Sequence, residues 1–214
     1  MNRMLLLTSL ALASAAGLAA GTLPGRAAAP HAATTTFGAQ STPQSAAPKA
    51  YTVDAVHSAA LFRVKHLNTS WSYGRFNAIA GTFLLDGTTP ANSTIDVTIQ
   101  TESIDTASEG RDKHLRSPDF FSSKEFPTIT FKSTSVKKVK DNTFEVVGDL
   151  ILRGVKKSIT TTIEQTGAGP GMRGGEIAGL HTTFTVKRSE FSMNYMPQGL
   201  GEDVEVTVSL EGGR

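Results

Sequence analysis

IDVTIQ, Ile95 to Gln100, is the stretch whose reading decides the fold: Ile95, Val97 and Ile99 alternate with Asp96, Thr98 and Gln100. That is the period of a strand with one buried and one wet face. The same period recurs on both sides. In Ala60 to Leu67, Phe62, Val64 and His66 share one face while Arg63 and Lys65 take the other. Arg75 to Asp86 reads as a longer strand whose alternation slips around Gly81, as at a bulge or tight bend. Ile129 and Phe131 fall in one later strand, and Phe144, Val146, Leu150 and Leu152 line one face of the next, with Gly148 between them. Ile159, Thr161 and Ile163 continue the pattern; Leu180, Thr182, Phe184 and Val186 share a face that ends at Arg188. Val204, Val206, Val208 and Leu210 alternate with polar residues in the last strand. Asp86-Gly87, Asp141-Asn142 and Arg153-Gly154 are turn signals, and Gly167 to Gly175 reads as a glycine-rich loop.

The alternation stops at one place. Glu109 to Ser117 carries good helix formers with Leu115 as its only large apolar residue, and Pro118 stops it by removing a backbone donor and disfavouring helical geometry before it. The spacing predicts one or two helical turns over 109–117, followed closely by Phe120, Phe121 and Phe126. Rings so near Arg111, Asp112, His114 and Arg116 fit a segment laid across an apolar opening, or an irregular connection whose rings plug the core. The Phe120-Phe121 pair reads equally as a lid, as the contact of a homodimer, or as core.

About eight short-turned strands with one helical interruption predict an all-β antiparallel fold, either a sandwich or a closed barrel. Closure removes exposed edges, and glycines inside strands (Gly81, Gly148) ease the coiling of a small barrel. An eight-stranded barrel is just wide enough to be filled by side chains or to hold one ligand. Ala78, Ala80, Gly148, Thr161 and Thr182 on the inward set leave room that leucines would fill.

The first fifty residues have a different composition. A positive start, Met1 to Arg3, precedes an apolar run at Met4 to Leu12 and small residues to Ala20, the layout of a secretory signal peptide assigned to 1–29. The apolar run is too short for a comfortable membrane span. Residues 30–50 are rich in Ala, Thr, Ser, Gln and Pro, the composition of a flexible tether. The folded domain is therefore 51–214, in a periplasmic or secreted protein with no membrane span after leader removal. Of 21 Lys and Arg, Arg3, Arg26 and Lys49 precede Tyr51, leaving 18 against 19 acids, so nothing favours a nucleic-acid partner. No cysteine is present, which excludes a disulfide framework, thiol redox chemistry and thiolate metal sites.

The runs YTVDAVHSAALFRVKHL (Tyr51 to Leu67), GRF (Gly74 to Phe76), RDKHLRSPDFF (Arg111 to Phe121), FPTITFKS (Phe126 to Ser133), GDLILRGVKK (Gly148 to Lys157) and KRSEF (Lys187 to Phe191) resemble, in the same order, the YceI-like family. The resemblance covers essentially all of Tyr51 to Gly212. It departs at the last motif, where the family usually reads Arg-Ser-Asp-Phe-Gly and this chain has Glu190 and Ser192.

The resemblance implies an exported protein with a lipocalin-like, up-and-down barrel that holds a long isoprenoid-like amphiphile: a polyprenyl lipid, polyprenyl phosphate or isoprenoid quinone. It implies a ligand but no cofactor, no metal and no catalysis. Strand parity nominates Phe62, Val64, His66, Phe76, Ile95, Val97, Ile99, Phe131, Phe144, Val146, Leu150, Phe184 and Val186 as tunnel wall, with Phe120 and Phe121 beside them. His66, Arg75, Arg111, His114 and Arg188 are the head-group candidates, with His57 and Asp112 considered alongside, because arginine offers a fork of donors to phosphate. Two alternatives use the same residues: a filled barrel acting as a structural or adhesion module, and, less favoured, a metal-dependent hydrolase. Against the latter, no histidine pair has the spacing of a helical metal motif and no serine sits in a nucleophile elbow.

Overall fold

Residues 49–214 are described by the computed structural model; the stretches read from sequence as signal peptide and tether fall, up to residue 48, outside the described residues. Every strand pairing among them is antiparallel. In chain order the elements are β1 (Tyr51–Val53), β2 (Ala59–His66), β3 (Ser70–Phe76), β4 (Ile79–Leu84), β5 (Thr94–Gln100), β6 (Ile104–Asp105), α1 (Glu109–Leu115), β7 (Thr128–Lys140), β8 (Thr143–Leu152), β9 (Val155–Pro170), β10 (Glu176–Lys187) and β11 (Leu200–Gly213).

Six of these segments are halves of three broken strands. β1 and β2 lie along one edge of β11, through Val53 opposite Gly212 and Ala59 opposite Ser209. β4 and β3 continue them as a second path, through Tyr51 opposite Phe83 and Ala60 opposite Phe76. β5 and β6 form the third, with Ile99 opposite Ile79 and Ile104 opposite Phe76. Counted this way the barrel has eight strands, each beside its sequence neighbour, and β11 closes onto the first. This is the closed up-and-down topology that alternation and short turns predict, and closure leaves no long free edge.

Three local expectations are corrected. There is no bulge at Gly81: the β4–β5 register is unbroken from Ile79 to Leu84. Gly81 has φ of 148° and its missing Cβ would stand 2.1 Å from the Asp96 carbonyl oxygen, so glycine is needed there for close strand approach. The break falls instead between β3 and β4, after Phe76, and it turns Ala80 outward to solvent. The glycine-rich stretch is strand as far as Pro170, because pairing continues through Gly169 opposite Ile177 and Pro170 opposite Glu176, and only 171–175 form the connection. Gly148 does not open the interior: a Cβ there would meet the Phe131 ring at 2.4 Å, so that ring occupies the space.

Helix α1 is held on the barrel by Arg116, whose Nε donates to the Glu102 carbonyl at 2.8 Å and whose Nη2 donates to that of Ile104 at 2.9 Å. The end of the barrel that carries Tyr51 is packed shut. There Tyr51 stacks on Phe83 with centroids 5.3 Å apart, and Phe83, Phe144 and Val146 are fully buried.

Candidate ligand-binding cavity

Inside the barrel lies a cavity of about 470 Å³, within the range of about 300–1,000 Å³ typical of small-molecule sites. Strand register sorts its lining along the axis. Leu210 faces Leu180, and Val208 faces Ala60, towards the closed end. Val186 faces Val204, and His66 faces Leu200, towards the other. The closed half is lined mainly by the apolar side chains of Ala60, Ile95, Ile163, Leu180, Val208 and Leu210, with His181 beside Leu180. Midway, the Thr161 and Thr182 hydroxyls lie 2.6 Å apart, and Thr182 donates on to the Thr162 carbonyl at 2.8 Å. Both hydroxyls are thus satisfied by protein, and the middle of the wall offers a ligand no polar hook.

Polar side chains gather at the open end: His66, Arg111, His114, Arg188 and Tyr195 all line it. Three of them come from the segments without alternation. His114 on α1 presents its ring edge-on to Phe120 (5.1 Å) and Tyr195 (4.9 Å), and its Nε2 lies 2.9 Å from Asp119 Oδ2. Arg153, at the β8–β9 turn, ties both flanks of this rim by donating to the Pro118 carbonyl at 2.7 Å and to the Ser192 carbonyl.

Arg188 is 95% buried and begins a 3-10 turn, Arg188–Phe191, after β10. Its Nε donates to the Gly201 carbonyl (2.9 Å), Nη1 to those of Met193 and Tyr195 (both 2.7 Å), and Nη2 to that of Leu200 at 3.2 Å. The guanidinium therefore organises the rim segment, and only one of its five N–H groups is left for anything else. Ser192, at the family's usual glycine position, sits at φ of 62°, the left-handed conformation that favours glycine.

Of the residues nominated from sequence, Phe62, Val64, His66, Phe76, Ile95, Val97, Ile99, Phe131, Leu150, Phe184 and Val186 line the cavity. Phe120 and Phe121 line it too, with Phe121 set edge-on against Phe76 at 5.3 Å. Phe144 and Val146 do not: parity points them inward, but they are fully buried among packed neighbours and do not line the cavity. Arg75 is also misplaced, since its strand parity turns it outward, opposite Asp105. There its charge is one of the causes, behind hydrogen bonds from Ala107 and Asn77, that hold the Asp105 carboxyl below its usual range. Asp112 and Arg111 are not an ion pair. They meet through Thr106, which gives its N–H (2.9 Å) and its hydroxyl to Asp112 and accepts from Arg111 Nε at 2.7 Å.

His57 lies elsewhere, at the β1–β2 break, 2.9 Å from Asp54 and 3.7 Å from Glu211. The Asp54 carboxylate raises the His57 pKa, and His57 lowers that of Asp54. Cavity residues not nominated from sequence come from two sources. Val204, Val206, Val208 and Leu210 on β11 were legible from their alternation, whereas Met193, Tyr195 and Met196 belong to a rim segment whose pattern carries no periodic signal.

Comparison with known proteins agrees with this architecture. The YceI-like domain model matches residues 51–212. Protein YceI of Escherichia coli O17:K52:H18 is 40% identical over 156 residues, covering 73% of this chain and 81% of that protein. Among solved structures, Burkholderia cenocepacia BcnA superposes with a TM-score of 0.69 at 20% identity, covering 75% of this chain and 99% of that one. A polyisoprenoid binding domain from Saccharophagus degradans, implicated in plant cell wall breakdown, gives 0.60 at 15% identity, covering 78% and 100%. The chain belongs to the YceI-like family.

Proposed function

We propose that this protein is a non-catalytic carrier that binds a long-chain, isoprenoid-like amphiphile in its barrel, tail towards Leu210 and head among the rim residues. The observation that carries this reading is the distribution of the lining, mainly apolar through the closed half and with its arginines at the mouth. Each CH₂ taken from water is worth about 0.8 kcal/mol, so such a wall binds a chain tightly without specific polar contacts. The fold shared with a domain described as polyisoprenoid binding supports the same reading. The N-terminal composition supports export, and we place the carrier in the periplasm or outside the cell.

A binding titration with a fluorescent apolar probe, displaced by isoprenoid alcohols, tests the proposal. Val206→Trp, which puts an indole into the cavity from β11, abolishes displacement while leaving the barrel's circular dichroism intact. Equal probe binding by the variant and the parent would place the probe outside the barrel and contradict the reading.

A further inference from the structure

The mouth carries cations and no anions. Two arginines, Arg111 and Arg188, line it, and no aspartate or glutamate lines the cavity. Acids around the rim are engaged elsewhere: Asp112 accepts two hydrogen bonds from Thr106, Asp119 is paired with His114, Glu102 with Arg116 and Glu190 with Lys157, and Glu202 accepts from Ser189. Arg188 has no carboxylate partner among the described residues, and its charge is met only by four carbonyl dipoles. Arg111 is likewise without a carboxylate: Nε and Nη2 are spent on Thr106 (2.7 and 2.6 Å), which fixes the plane of the guanidinium, and Nη1 has no protein acceptor among the described residues.

A buried cation without a counter-ion is electrostatically incomplete, and carbonyl dipoles offset its lost hydration only in part. A neutral head group leaves that charge as it is, whereas an oxyanion completes it and gains charge-assisted hydrogen bonds from Arg111, which is exposed at the mouth. We infer that the ligand's head group is an oxyanion, a phosphate or carboxylate rather than an alcohol or quinone, received between Arg111 and Arg188 at the rim. This rests on the carrier reading and narrows it. Arg188 supplies a fixed field from inside the wall, and Arg111 supplies the free donors.

The test uses a pair of ligands with one tail, geranylgeraniol and geranylgeranyl monophosphate, each displacing the apolar probe from the Tyr51 to Arg214 chain. The phosphate binds about tenfold tighter or more at low salt, and the advantage shrinks as ionic strength rises. Arg111→Gln removes most of the advantage by lowering the phosphate's affinity far more than the alcohol's, while Arg111→Lys, which keeps the charge, retains part of it. Equal affinities, or a phosphate advantage untouched by Arg111→Gln, overturn the assignment with the carrier intact. Failure of both ligands to displace the probe overturns the carrier reading itself. Arg188 is left unaltered because it also builds the rim.

Discussion

The ring of Phe131 on β7 lies over Gly148 on β8, so closely that a Cβ at 148 would stand 2.4 Å from its Cζ. Gly74 and Phe62 repeat the arrangement across β3 and β2, at 2.3 Å. In both pairs glycine accepts an aromatic wall of the cavity, so cavity shape is set by glycines that contribute no lining of their own. Gly148→Ala must push Phe131 inward. It costs about 1–3 kcal/mol of stability, as for other overpacked sites, and weakens ligand binding as well; urea unfolding and a displacement titration measure the two effects. Loss of stability with unchanged affinity would show that the ring yields away from the cavity.

Ser192 pays for its left-handed backbone where the family's motif carries glycine. Ser192→Gly relieves a strain of roughly 1 kcal/mol for a residue with a Cβ at positive φ, and its carbonyl still accepts from Arg153. The variant's urea midpoint shifts upward with unchanged slope. A downward shift would mean that the serine side chain contributes more than its conformation costs.

Arg153→Ala unties Pro118 and Ser192, the two flanks of the rim. Its bonds reach carbonyls on a partly exposed surface, so the stability cost is about 1 kcal/mol. The larger effect falls on the mouth: dissociation of bound ligand becomes faster while association changes less, as stopped-flow displacement reports. Unchanged dissociation would show that the rim opens elsewhere.

The His57 pKa is raised by Asp54 and Glu211, so its pairing stabilises the fold fully below the unfolded histidine value near 6.5 and is lost as pH rises through the folded value. Asp54, whose pKa is lowered, contributes in the opposite sense: its share is present above the ordinary carboxylate range and lost in acid. The stability difference between the parent and His57→Gln is therefore largest between those two ranges and closes towards pH 8, in thermal melts across a pH series. A difference that does not change between pH 5.5 and 8 contradicts the pairing.

Much of the barrel was legible because one period, two residues, governs it. From IDVTIQ outward, alternation located the strands, and it placed Val64, Val97 and Phe184 on the cavity wall. It failed where a strand breaks: parity carried across the β3–β4 break turned Ala80 inward when it faces water. It also cannot distinguish an inward side chain packed by its neighbours from one that faces open space, so Phe144 and Val146 read as wall although they are fully buried and do not line the cavity. The rim was least legible. Arg188 was correctly turned inward, but its engagement with four carbonyls depends on the return of residues 193–201 around it, a tertiary event with no local signature. Tyr195 and Met196 had no pattern to announce them.

The central claim is that the barrel holds one amphiphile with its tail in the apolar half. Native mass spectrometry of the Tyr51 to Arg214 chain, followed by organic extraction and mass analysis of what is released, tests it most directly. The account predicts a long-chain, isoprenoid-like molecule at about one per chain, lost in Val206→Trp. A bare chain mass that stays bare after incubation with isoprenoid alcohols, phosphates and quinones would contradict it.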